Sequence, residues 1–323
     1  MTDQEPNSNS VLKDESFRIS IFLTSAFLFT GLVFLLLDMA SYGFTIFFFL
    51  PIVLGISLGT LPDRKMSLRG ALITTGFILL LMLLLGLSGA LCIVFVIPLI
   101  IPFIFLGYVL VYLAGRYREI KSTNRISFLM LPLLPFLIAA PTERYIQSDQ
   151  KDVVEVRTER VYEYSNMQVY EVIKSVDTMV GERPFLMRFD LPIPVKCVLE
   201  KEAVGGSRIC YFKGGRMSNR DFGGGTIHEK ITALEKGKLL QMDVTDYNLI
   251  GRKWLGFKEA IYYFDSLAPN RCKLTRVTTY TSVLNPRIYW EPLEKLGISQ
   301  EHDYVFSNID IDLKKRFKDQ PTN

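Results

Sequence analysis

Metal and thiol chemistry have little to work with in this sequence. It holds two histidines, His228 and His302, and four cysteines in 323 residues. The histidines are far apart, and no two cysteines form a CxxC pair. A zinc site is not expected, and no metal or cofactor is. Cys92 sits in an apolar run. Cys197, Cys210 and Cys272 lie in the polar half, an odd number that does not read as a disulfide framework. Strong charge of one sign is also missing. The formal net charge is +4. Nine basic and seven acidic residues precede Pro141, and 28 and 26 follow it. Neither half is basic enough to suggest nucleic acid.

The N-terminal half is poorest in charge of any kind. Between Ile19 and Leu61 the only charged residue is Asp38, and between Gly70 and Gly115 there is none. As one helix the second run would be about 70 Å long, against ~30 Å for the hydrocarbon of a bilayer. It must fold back, and "GLSGA" at Gly86–Ala90 is the natural turn. "DMASYG" at Asp38–Gly43 breaks the first run. This predicts spans near Phe17–Leu37, Phe44–Leu61, Leu68–Leu85 and Leu91–Leu113. Arg64, Lys65 and Arg69 mark one loop, and Arg116, Arg118, Lys121 and Arg125 another, while the two turns hold no Lys or Arg. The positive-inside rule then places both basic loops in the cytoplasm, with Lys13 and Arg18 of the N-terminus.

The apolar stretch Ile126–Thr142 is short for a span and carries Pro132 and Pro135. A crossing is the expected reading, against a re-entrant segment or a hydrophobic strap. It gives five spans and an extracytoplasmic C-terminal domain, in what is expected to be a bacterial inner membrane. Asp38 reads as an interfacial residue, and Gly55 and Gly59 as a GxxxG that lets helices pack closely. The expected organisation is a disordered 1–16, a transmembrane region 17–142 of four to five helices, a domain at 152–317 and a tail at 318–323.

From Asp152 the pattern alternates. "VVEVRTERVYEYS" reads as a half-buried strand. "NMQVYEVIKSVD" reads as a helix with Asn166 as N-cap. After a proline-bearing link come strands at Val195–Val204, Ser207–Lys213, Thr226–Leu234, Lys238–Asp246, Phe257–Leu267 and Cys272–Val283, with Gly205-Gly206 as a two-residue hairpin turn. A helix from about Gln300 to Phe317 carries Val305, Ile309, Leu313 and Phe317 on one stripe. A curved antiparallel sheet closing on one long helix is an α+β arrangement with room for a ligand between the two.

That order resembles the helix-grip fold of the START and birch-pollen-allergen superfamily (SRPBCC), most of all its polyketide cyclase/dehydrase-like members. The resemblance rests on "NMQVYEVIKSVD", "LPIPVKCVLEKEAVGGSRICYFKGG", "IHEKITALEKGKLLQMDV" and "CKLTRVTTYTSVLNPRIYW", and covers Asp152–Phe317. It implies a cavity for apolar ligands such as lipids or polyketides. No universal catalytic residue exists in that superfamily to carry over, so the catalytic residues stay unknown. The expected function is a membrane-anchored module that binds a hydrophobic small molecule or lipid. A cyclase- or hydrolase-like enzyme and a structural or signalling membrane protein are the alternatives. Tyr211, Met242, Trp254, Tyr262, Phe264, Tyr280 and Trp290 are the candidate pocket residues, each weighed against plain core packing. Arg216 and Arg220 of "GGRMSNRDFGGGT" are candidates for an anion. His228 and Glu229, adjacent on a strand, point to opposite faces and make a poor acid/base pair. His302 reads as structural.

Overall fold

A computed structural model describes residues 13–85, 88–113, 130–147, 152–215, 221, 223–252 and 254–317. Arg216, Arg220, Lys253, the N-terminal twelve residues and the start of the Ile126–Thr142 stretch lie outside them. The chain divides into two compact units. One is mainly Met1–Leu85 and Cys92–Gln150, the other mainly Lys151–Val283 and Arg287–Asn323.

The first unit is helical. Asp14 caps α1 (Glu15–Leu36), accepting from the Phe17 N–H at 2.8 Å. A π-helical turn at Thr45–Phe49 leads into α2 (Leu50–Gly59). Asp63 caps α3 (Arg64–Leu84), and α4 (Ala90–Leu113) follows. A 3-10 turn at Leu131–Leu133 opens α5 (Leu134–Gln147). Among the described residues three helices, α1, α3 and α4, are long and apolar enough to cross a membrane. The apolar helix at Thr45–Gly59 is shorter than the expected second span. Side-chain oxygens at the caps satisfy N–H groups that the first turn of a helix leaves without partners.

The ends of these helices gather in two groups. At one end the Asp63 N–H donates to Ser16 Oγ at 3.1 Å, and the Arg64 guanidinium lies 5.1 Å from the Tyr112 ring centre. At the other, Arg144 pairs with Asp38 at 2.8 Å. Beside it Glu143 accepts from the N–H groups of Phe44 and Thr45 at 2.6 and 2.8 Å. The end of α5 therefore meets the turn after α1, which holds no Lys or Arg, away from Arg64. Glycine sets the spacing of α2 against α4. A Cβ on Gly55 would stand 2.0 Å from the Ile104 carbonyl oxygen, and one on Gly107 2.0 Å from that of Ile52. Only hydrogen at these positions lets the backbones approach so closely.

The second unit is a helix-grip domain. β1 (Asp152–Tyr162) leads to α6 (Asn166–Ile173). Six strands follow: β2 (Ile193–Leu199), β3 (Ser207–Lys213), β4 (Gly225–Glu235), β5 (Leu239–Leu249), β6 (Leu255–Ala268) and β7 (Arg271–Ser282). They form one antiparallel sheet in the order β1-β7-β6-β5-β4-β3-β2. Register shifts in β2, β4 and β6 mark bulges, which bend and twist a sheet. The long helix α7 (Arg287–Phe317) buries Ile298, His302, Val305, Ile309 and Leu313. Leu240, Met242, Leu274 and Phe306 are buried in the same core. Fully burying such a side chain stabilises a fold by about 1.5–3 kcal/mol each.

Several expectations are corrected in detail. The N-cap of α6 is Ser165, in a capping box with Gln168. The last helix begins at Arg287, a long way before Gln300. β2 ends at Leu199, so Gly205-Gly206 closes a longer loop, with Gly205 at φ +85°. Two of the four cysteines pair. β2 and β3 place Cys197 directly opposite Cys210, with Cα atoms 4.0 Å apart, and the two form a disulfide. Cys92 and Cys272 stand outside this disulfide. Beyond β2, Val176 exchanges two 2.8 Å backbone hydrogen bonds with Cys197, and the Met179 N–H donates to the Val195 carbonyl.

Candidate functional site

Strand alternation decides which side chains face α7. On β3 the inward set is Arg208, Cys210 and Phe212, and on β4 it is Ile227, Glu229 and Ile231. On β6 it includes Tyr262 and Phe264, and on β7 Leu274, Arg276, Thr278 and Tyr280. Five of these side chains, Arg208, Glu229, Tyr262, Arg276 and Tyr280, are charged or carry a ring hydroxyl. Sequence position alone left Arg208, Arg276 and Glu301 unnoticed, and weighed Glu229 only against His228.

Arg208 and Glu229 are directly paired across β3 and β4. The Arg208 Nε–H donates to Glu229 Oε2 at 2.6 Å, and both side chains are buried. One Nη–H of Arg208 also reaches the Ile173 carbonyl at 3.3 Å. Arg276 of β7 makes a second ion pair with Glu301 of α7, through two contacts at 3.0 and 3.2 Å. Tyr262 stands between the two pairs. It is cross-strand partner to Arg276, and both guanidinium carbons lie 5.6 Å from its ring centre. An aromatic face between two cations gains from both. Burial pushes the Glu301 carboxyl above its usual range, against the pull of Arg276.

Beside this cluster His302 is wholly buried. Its Nδ1 and Nε2 lie 2.7 and 2.8 Å from the hydroxyls of Thr158 and Thr278. Burial first, then the charge of Arg276, holds the imidazole well below its usual pKa. It is neutral at pH 7, with one ring nitrogen donating and the other accepting. The structural role expected for His302 fits this seat. A third cluster sits nearer the start of α7. Glu294 accepts from the hydroxyls of Tyr280 and Ser282 and from both Nη groups of Arg287.

Two observations bear on the interior of the grip. Arg276 and Glu301 are deep within the domain, yet 11% and 19% of their side-chain surfaces remain accessible. Phe212, Val244 and Phe257 also face inward and are only partly covered. Surface that a water-sized sphere reaches at such depth borders open space rather than packed core.

The candidate pocket residues divide accordingly. Tyr262 is the hub of the charged cluster. Met242 is fully buried on the inward face, and Phe264 packs edge-on against Tyr170 at 5.8 Å. Tyr280 is buried and bonded to Glu294. Trp254 borders a smaller cluster with Val154, Val156, Leu255 and Tyr280, and its ring lies 5.8 Å from the Arg252 guanidinium. Trp290, on α7, is buried, with its ring against Tyr289. Tyr211 is a correction: alternation puts it on the face opposite Arg208 and Cys210, where Lys196 lies 4.4 Å from its ring centre.

No family model matches the chain, and no curated protein matches it at a significant level. Among solved structures it is similar to an aromatase/cyclase from a Streptomyces species at 13% identity, covering 51% of this chain and 96% of that one, with a TM-score of 0.37. It is similar to norcoclaurine synthase from Thalictrum flavum at 13% identity, covering 55% and 94%, TM-score 0.34. A START superfamily protein from Mycobacterium smegmatis shows 10% identity over 50% and 97%, TM-score 0.35. At such identities no residue's role carries over.

Proposed function

We propose that the chain is a membrane-anchored module that takes a hydrophobic small molecule or lipid into the hollow of its helix-grip domain. One observation carries this: charged side chains deep in the domain retain accessible surface, and inward-facing aromatic and aliphatic side chains beside them stay partly uncovered. Each CH₂ moved from water into such a space gains about 0.8 kcal/mol. The apolar helices hold the module next to a source of apolar molecules.

On this reading the domain lies on the extracytoplasmic side. The end of α5 is tied to the turn after α1 by Glu143 and Arg144, opposite the basic end at Arg64, which the positive-inside rule puts in the cytoplasm. The Cys197–Cys210 disulfide supports the same side, because such bonds persist in oxidising compartments. Protease digestion of sealed membranes tests the side; a domain protected from external protease in right-side-out vesicles overturns it.

Extraction of the full chain in native lipid discs, followed by mass spectrometry of what dissociates, tests the binding. An apolar molecule held in stoichiometric amount is the expected result. A domain that emerges empty and takes up no added lipid overturns the reading. An enzyme acting on an apolar substrate is a second reading. Its support is Glu301, a carboxyl with a raised pKa beside a guanidinium and a tyrosine. Its mark would be a Glu301→Gln variant that binds normally and converts nothing.

A further inference from the structure

We propose that one end of the grip domain, where three connections gather on Asp190, rests on the lipid bilayer, with Phe185 and Ile250 as its contacts. This deepens the reading above by naming the face through which an apolar molecule passes between membrane and domain. It rests on the membrane anchoring in that reading.

Asp190 is the knot of that end. It is wholly buried, in the link between α6 and β2. Arg252, from the connection between β5 and β6, donates an Nη–H to its carbonyl at 2.7 Å. Gly215 follows β3, and a Cβ there would stand 1.9 Å from the Asp190 Cα. Gly223 and Gly224, just ahead of β4, share backbone hydrogen bonds of 2.8 and 3.0 Å with Ile250. All three connections therefore converge where β3 and β5 finish and β2, β4 and β6 begin.

The same carboxylate marks where the bilayer begins. The turn Gly86–Leu91 belongs to the grip unit. Its Leu91 N–H, in the first turn of α4, donates to Asp190 Oδ1 at 3.2 Å, and Ala90 and Leu91 are buried. A carboxylate there satisfies a donor that the helix leaves without a partner and meets the positive end of the helix dipole. α4 is one of the helices long and apolar enough to cross a membrane, so its first turn stands at the edge of the hydrocarbon. The connections bonded to Asp190 stand at that edge with it.

The side chains at this level suit a lipid surface. Phe185 is 66% exposed and Ile250 46%. The Phe185 ring packs edge-on at 5.2 Å against Phe189, the residue before Asp190. Arg188 is exposed close by in the chain, paired with Glu182. Apolar side chains among arginines match the boundary between head groups and acyl chains, where each end of an amphipathic side chain finds its own medium. At the far end of the sheet, roughly 40 Å along β6, Leu267 is as exposed, but its neighbours there are ion pairs of Asp265 with Lys273 and Glu163 with Arg271.

The test uses full-length protein in nanodiscs of phosphatidylcholine, or of the same lipid brominated high on its acyl chains. Phe185→Trp, Ile250→Trp and Leu267→Trp change exposed positions, and each is read as the emission added to that of the natural Trp254 and Trp290. Bromine quenches tryptophan on contact. The added emission is expected to be mostly lost in brominated discs for the variants at 185 and 250, and kept for the variant at 267. Emission kept at both 185 and 250 would overturn the proposal; a second copy or a water-soluble protein covering this face would give that result. Loss as great at 267 would overturn it too, since no end of the domain would then be preferred. The readout needs no molecule inside the domain. A failed contact leaves the binding reading standing, and a domain that binds nothing leaves the contact standing.

Discussion

The two units handle polarity in opposite ways. The helical unit keeps charge at the ends of its helices, where Asp38 meets Arg144 and Glu143 caps the turn at Thr45. Its middle is apolar and held close by glycine. The grip domain has an ordinary charged surface, and it puts four more charged side chains near the centre of its sheet. A core with no purpose beyond stability gains little from that, because desolvating an ion pair offsets most of its attraction. The contrast is the reason the proposed function is sought in the grip domain, whose interior carries buried charge that packing alone does not call for.

Breaking the closed ion pair should have the largest effect. Arg208→Met leaves Glu229 buried without its partner, and a loss of about 3–5 kcal/mol is expected in denaturant unfolding of the domain. Arg208→Met with Glu229→Leu should recover most of it; a double variant as unstable as the single would show that the pair contributes net stability. Next comes the disulfide, which closes a loop at sequence separation 13. Replacing both cysteines by serine should cost about 3 kcal/mol on the chain-entropy model. A thermal melt unchanged by reductant would contradict this. In the helical unit the matching test is Gly107→Ala, whose methyl would meet the Ile52 carbonyl. A loss of about 1–3 kcal/mol is expected, read as lower heat resistance in detergent. The smallest effect is the pH response of His302. Its folded pKa is depressed, so its contribution is fully present above the unfolded value near 6.5. It is lost as pH falls below that value toward the folded one. Stability of His302→Gln should depend less on pH across that range; an unchanged slope would assign the effect to other groups.

Much of the grip was legible in the sequence because alternation survives there. Ser207–Lys213 is read to the residue, and the other late strands to within a few. The start of α7 was missed because Pro292 and Gly297 punctuate it, although the helix runs through both. The charged cluster had a readable sign that habit passes over. Glu229 shares strand parity with Ile227 and Ile231, and Arg276 with Leu274 and Thr278. The stripe Val305, Ile309, Leu313 extends one step back to Glu301. A charge on an apolar face is usually taken as an edge of the pattern, and only the register shows that these edges converge on Tyr262. The disulfide was hidden for a related reason. No motif links Cys197 to Cys210, and only the pairing of β2 with β3 sets them opposite one another.

The strip of chain at Val176 and Met179 has a consequence for crowding. Many copies confined to one bilayer meet often and in similar orientations, conditions under which an open strand edge recruits its neighbours. Here the outer rim of β2 is already occupied by its own chain, so crowded neighbours find no vacant ladder there to extend.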